Sequence, residues 1–223
     1  MKKIILLASL GFMALRLFSQ NSISADAGYL RSHTNVAEYV RNDRNSSLFD
    51  TVSLIPNSGS FQAALTVHFD LGKHFFLATG FHYERKGMSE VDVTDTVTTY
   101  YVNAYQHYAG LSMLIEYQYD FRKSKFGILM ATGPQVDFAV GKPNTGVLYS
   151  GKYYWLFMPF SKFSEVDFSW TVEAGPTFKL GPGEVFAKVC YRYGLSDILQ
   201  DAYVIGRSSS FGISAGYSFR LTK

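Results

Sequence analysis

The side chains able to do chemistry are few and scattered. Nucleophilic hydrolysis of a lipid or peptide needs a hydroxyl or thiol beside a base, with a third group orienting that base. His107 with Ser47, or Asp95 with His33, could supply parts of such a set. No nucleophile elbow or comparable motif surrounds either pair, so a non-catalytic role is expected. Metal binding needs ligands that converge. His33 and His107 have no Asp or Cys at ligand spacing. If the chain reverses at Gly72 and Lys73, His68 faces Phe76 and His82 faces Gln62, so these two histidines share a face without being neighbours. Side-chain packing is their expected role, and no metal or other cofactor is implied. Cys190 is the single cysteine, which rules out an intramolecular disulfide. Lys188 and Arg192 flank it and could favour its thiolate, but a buried, inert thiol is the expected state.

A second set of residues has the spacing for buried ion pairs. Asp26, Asp70, Glu84, Glu116, Asp137 and Glu173 stand against Lys188, Arg192 and Arg220, a set of mixed charge. All fall in phase with small residues such as Ser210, Gly212, Ser214, Gly110, Ser112, Ala131 and Gly133. If the chain turns at Gly181 to Gly183, Glu173 lies across from the stretch Lys188 to Arg192, which predicts a salt-bridge cluster there.

The elements that must position these groups are strands. Large apolar residues recur at every second position in eight segments, which predicts strands over 22–31, 60–71, 74–85, 105–119, 125–140, 167–180, 184–193 and 209–221. Pro134 and Pro176 fall inside two of them and should mark bulges. The connections alternate. Residues 72–73, 120–124 and 181–183 are tight turns, whereas 32–59, 86–104, 141–166 and 194–208 are long polar loops. Strands of about nine to eleven tilted residues cross a bilayer, and short turns alternating with long loops suit a membrane barrel with one face to the periplasm and one to the exterior.

Charge and size then choose between the two faces. An eight-stranded barrel is just wide enough to be filled by side chains, so the small and charged residues belong inside. Buried opposite charges would plug such a lumen. The other face carries Phe61, Leu65, Phe69, Phe81, Leu111, Met113, Ile115, Trp170, Val189 and Ile213, with Phe75, Tyr83, Tyr117, Tyr119, Phe178 and Tyr193 near strand ends as aromatic girdles. In water such a face would aggregate.

Aromatic residues make up 17% of the 223-residue chain and charged ones also 17%, well below the roughly 25% charge of a soluble domain. The net charge of +3 is dispersed, so no nucleic-acid partner is expected. Lys2 and Lys3 followed by an apolar run from Ile4 to Phe18 read as a signal peptide over 1–19, cleaved near Ser19 and Gln20, with the barrel domain over 20–223. In the third long loop, Tyr153, Tyr154, Trp155, Phe157 and Phe160 form an aromatic patch suited to a partner or the outer leaflet. Residues 90–104 have strand propensity and could extend the sheet beyond the membrane.

The stretch "VCYRYGLSDI" from Val189 to Ile198, with Arg207 and "SSFGISAGYSF" after it, resembles the end of the outer-membrane protein beta-barrel domain family, the small porin-like barrels of Gram-negative bacteria. The Gly-Pro pairs in "MATGPQVDF" and "VEAGPTFKL" are similar to that family as well. The chain departs from it in ending Arg220, Leu221, Thr222, Lys223 rather than on an aromatic. The resemblance implies an all-β fold, an eight-stranded antiparallel transmembrane β-barrel, in most members without a defined biochemical activity. The expected partners are outer-membrane lipid, the barrel-assembly machinery and an extracellular protein or glycan, with the chain a monomer. Surface interaction or envelope structure is the expected role. A narrow pore for small solutes is the alternative, ahead of a lipid-active enzyme and a soluble ligand-binding barrel.

Overall fold

The computed structural model describes residues 21–38, 51–54, 58–94, 99–122, 124–149, 152–154, 164–197 and 204–221. The elements are ten strands: β1 (Asn21–Glu38), β2 (Thr51–Leu54), β3 (Ser58–Gly72), β4 (Phe75–Thr94), β5 (Thr99–Asp120), β6 (Phe126–Tyr149), β7 (Lys152–Tyr154), β8 (Val166–Leu180), β9 (Gly183–Asp197) and β10 (Val204–Arg220). Eight of them form the wall in the order β1-β3-β4-β5-β6-β8-β9-β10, every pair antiparallel. The wall closes where β10 meets β1, in an unbroken ladder from Ser22 opposite Arg220 to Glu38 opposite Val204. Closure matters because an open edge would leave backbone groups unpaired in hydrocarbon. The short β2 and β7 lie off the wall, on the outer parts of β4 and β6.

Alternation builds the two faces. Outward side chains include Phe81, Ile213, Tyr29 and Phe61, each more than half exposed. Inward ones are polar and buried, among them Ser24, Gln62, Glu84, Gln135, Asp137, Thr171 and Arg192. Water-soluble folds put these classes the other way round. Phe69 shares the outward phase of Phe61 and Leu65 but is itself buried.

Strands run further than the alternation alone predicted, always at the end away from the tight turns. β4 and β5 continue as one hairpin, pairing Val91 with Val102 and Thr94 with Thr99, so much of the expected loop 86–104 is sheet. β6 reaches Tyr149, β1 reaches Glu38, and β9 and β10 take up both ends of the connection expected over 194–208. The β-branched and aromatic residues of these stretches favour extended backbone whether or not lipid surrounds it.

The β3–β4 register differs from expectation, and the β8–β9 register agrees with it. At the β3–β4 turn, Gly72 and Lys73 take left-handed φ values of 116° and 49°, and the register shifts between Asp70 and Gly72. His68 therefore faces Ala78 rather than Phe76, and His82 faces Ala64 rather than Gln62. Asp70 is not a lumenal charge, because its Oδ1 accepts the Gly72 N–H at 2.7 Å and secures that turn. On β8–β9, Glu173 lies opposite Cys190, at the middle of the stretch expected.

Neither proline makes a bulge. Pro134 pairs with Trp170 and Pro176 with Ile128 in one continuous β6–β8 register, and β8–β9 keeps the same register on both sides of Pro176. The preceding glycines explain this. A Cβ on Gly133 would collide with the Met113 carbonyl oxygen, and one on Gly175 with that of Ala187. Close approach of the neighbouring backbone takes up the irregularity that an inserted residue would otherwise absorb.

The expected signal peptide, Ser47, Asp95, Trp155, Phe157 and Phe160 lie outside the described residues. Tyr153 and Tyr154 belong to β7, and His33 to β1 opposite Ser209.

Candidate functional site: the lumenal polar column

The inward phase of the eight wall strands stacks polar groups along the barrel axis. Nearest the tight turns, His68 Nε2 shares a hydrogen bond of 2.8 Å with the Ser24 hydroxyl, and its Nδ1 stands 3.3 Å from Glu116. Gln118 donates to the same carboxylate at 2.8 Å. At mid-height, Lys188 bridges Glu173 at 2.8 Å and Asp26 at 3.2 Å, tying β9 to β8 and across to β1. Cys190 sits beside this layer, its sulfur 3.8 Å from the Gln62 amide.

The densest layer lies toward the long connections. Glu84 of β4, Asp137 of β6 and Asp167 of β8 converge on Lys86, whose ammonium is 3.1 Å from Glu84, 2.5 Å from Asp167 and bonded to Asp137. Arg192 of β9 pairs with Glu84 and donates to Gln62 Oε1 at 2.7 Å. His82 bonds Asp137. Gln135 donates to Glu84 and Asp137 and accepts from Thr171 at 3.1 Å. Ser196 and Ser208 complete the shell of Asp167. Tyr108 lies over Lys86, ring centroid 5.2 Å from the ammonium, and donates its hydroxyl to the Ser164 carbonyl at 2.9 Å.

Five side chains of this layer (Lys86, Asp167, Gln62, Gln135 and Tyr108) were not among the expected cluster residues. Phase was the signal that could have found them. Lys86 continues the inward series of His82 and Glu84, and Asp167 precedes Glu173 by an even number of residues. Arg220, which the sequence placed in the lumen, is exposed at the turn end of β10. With Arg220 and Asp70 removed and Lys86, Asp167 and Glu184 added, carboxylates still outnumber the lysines and arginines among the described lumenal residues. His68 and His82 each stand against a carboxylate.

His82, Glu84 and Asp137 present ligand atoms within 4.8 Å of one another. Lys86 and Arg192 already neutralise those carboxylates, so a divalent ion would have to displace an ammonium or a guanidinium. The chemistry of the layer is that of a buried ion-pair network: Glu84, Asp137 and Asp167 each meet a cation, while His82 Nδ1 and Arg192 Nε are left without a hydrogen-bond partner among the described residues. Among the imagined hydrolytic residues, His107 faces outward, its Nδ1 2.6 Å from the Tyr83 hydroxyl.

A small cavity lies among these groups. The lumenal cavity, lined by Ser24, Asp26, His68, Glu116, Glu173 and Lys188 among others, offers about 30 Å³ to the centre of a water-sized sphere. A water needs roughly 10–15 Å³ by that measure, so the space suits isolated waters and not a continuous column.

Closed antiparallel wall, apolar outside and polar inside specify a barrel made for a bilayer, and the sequence comparison agrees. The family model described as outer membrane protein beta-barrel domain matches residues 18–200. The chain belongs to this family. It is accordingly an eight-stranded barrel of the bacterial outer membrane. No curated protein sequence matches it. Solved structures of the same fold class include Neisserial surface protein A, at 13% identity and a TM-score of 0.47, covering 90% of this chain and 97% of that one. OprG of Pseudomonas aeruginosa is 11% identical with a TM-score of 0.49, covering 92% and 98%. Ail of Yersinia pestis, solved in complex with the heparin analogue sucrose octasulfate, is 14% identical with a TM-score of 0.42, covering 90% and 100%.

Proposed function

We propose that this outer-membrane barrel is a non-catalytic surface or envelope protein whose lumen is closed, with the long connections facing the exterior and the tight turns facing the periplasm. One observation carries the reading: Lys86, Arg192, Glu84, Asp137 and Asp167 cross-link four strands through the lumen, with about 30 Å³ left open below them. A hydrated ion cannot pass without breaking several buried ion pairs at once. The barrel wall then serves as an anchor, and recognition falls to the long connections, whose sequence includes the aromatic run Tyr153, Tyr154, Trp155, Phe157 and Phe160, toward an extracellular protein or glycan.

A narrow pore is the competing reading, favoured by the polar lining that runs from Glu116 to Asp167. Planar-bilayer recording separates the two. Purified barrel inserted into a bilayer in molar potassium chloride should give no steady channel current, and a stable single-channel step in the unmodified protein would replace the anchor reading with the pore.

A further inference from the structure

We propose that the outward face around Gly59 is a docking site for the phosphate of a glycolipid in the outer leaflet, an inference that rests on the long connections facing the exterior. Gly59 is an outward position of β3 with no side chain. Donors from the neighbouring strands close around that gap. Arg31 of β1 is its direct cross-strand partner, and the Tyr29 hydroxyl occupies the space where a Gly59 Cβ would stand. From the other side, the Arg85 guanidinium of β4 donates to the Gly59 carbonyl and lies 4.8 Å from the centroid of the Tyr105 ring. Its main-chain N–H is held by the Ser60 hydroxyl at 3.2 Å. His107 of β5 is the cross-strand partner of Arg85 and stacks on Tyr83 with centroids 5.8 Å apart.

Two features give this patch an occupant. First, its charge is handled differently from the charge inside. Each lumenal lysine or arginine meets a carboxylate, whereas among the described residues Arg85 pairs with none and its Nε is buried without a partner. Fork-shaped guanidinium donors match phosphate oxygens in two-point contacts. Second, the patch adjoins the apolar wall. Phe61 and Phe81 lie toward the barrel middle and are 57% and 69% exposed. A ligand suited to both must carry an anionic group directly above hydrocarbon chains, which describes a phosphorylated lipid headgroup. The Tyr29, Tyr83 and Tyr105 rings give sugar faces something to pack on, which favours a glycolipid over a glycerophospholipid.

Native mass spectrometry of the full chain, refolded in detergent and mixed with bis-phosphorylated lipid A, tests this. Wild type should retain one lipid A per barrel, and Arg85→Gln should lower the retained fraction by about fivefold or more, with Arg85→Lys recovering part of it because charge without the fork is the weaker binder. Dephosphorylated lipid A should bind as poorly as the variant. Equal retention by Arg85→Gln, or by the dephosphorylated lipid, overturns the site. Retention of phosphatidylglycerol equal to that of lipid A overturns the glycolipid assignment and leaves a general phosphate site. Unboiled-gel migration reports folding; if Arg85→Gln fails it, Tyr29→Phe and Arg31→Gln carry the same expected loss. The detergent measurement is blind to orientation. Labelling Thr96→Cys, between β4 and β5, on intact cells with an impermeant maleimide tests that separately, and an unlabelled cysteine would sink the orientation while leaving the adduct result standing.

Discussion

Lys86 stands where carboxylates from three strands meet, and the electrostatics of the upper lumen turn on it. Glu84, Asp137 and Asp167 are each almost completely buried, and their charge is tolerable only because Lys86 and Arg192 oppose it. Removing one partner of a buried ion pair typically costs about 3–5 kcal/mol. Lys86→Met should therefore destabilise the barrel by about that amount, seen as a lower urea midpoint for unfolding from lipid vesicles. Lys86→Met combined with Asp167→Asn should recover part of the loss, because the uncompensated charge shrinks; no recovery would mean that Lys86 acts through packing alone. The residue-scale content of the site was half legible. Glu84, Asp137, Glu173, Lys188 and Arg192 announced themselves by sharing a phase with Ser and Gly. Lys86 did not, because in "YERKG" it stands in a charge run before a glycine, the usual look of a solvated strand end. Arg220 misled for the opposite reason. Its phase is inward, but it lies at the last position of β10, where a long side chain reaches water.

At the scale of the strand, alternation specified the wall and its inside, and what it left open was how neighbouring backbones approach each other. A proline in a strand normally signals a bulge, yet β6 and β8 pass Pro134 and Pro176 without losing register. The information sits one residue earlier, in glycines whose missing Cβ admits the Met113 and Ala187 carbonyls. Gly175→Ala should force β8 and β9 apart and lower stability by about 1–3 kcal/mol, the usual cost of overpacking, measured by the same urea titration. An unchanged midpoint would show that the strands separate freely at Pro176. Turn details were hidden in the same way. The register shift between Asp70 and Gly72 lies where the Asp70 side chain accepts the Gly72 N–H, a local contact that no hydrophobic pattern records.

The whole molecule follows from putting closure and the two faces together. An eight-strand circle leaves no unpaired edge for hydrocarbon and an interior about as wide as the side chains that fill it. The sequence carried this architecture plainly, because period-two patterning marks each of the eight wall strands. It under-read the height of the wall. A bilayer demands only about nine to eleven residues per strand, whereas β6 runs for 24 and β5 for 22; the added length comes from hairpin pairing such as Val93 with Tyr100, which hydrophobic alternation does not register. In this barrel the apolar face should meet lipid while the polar face meets a filled interior. A spin-label scan of β5 in lipid vesicles, in a Cys190→Ser background, tests it most directly. Labels at positions 109, 111, 113 and 115 should be broadened by oxygen and not by a water-soluble nickel complex, and labels at 110, 112, 114 and 116 by neither. Nickel access at the even positions would reveal a water-filled channel, and nickel access at the odd ones would show that this wall does not face lipid at all.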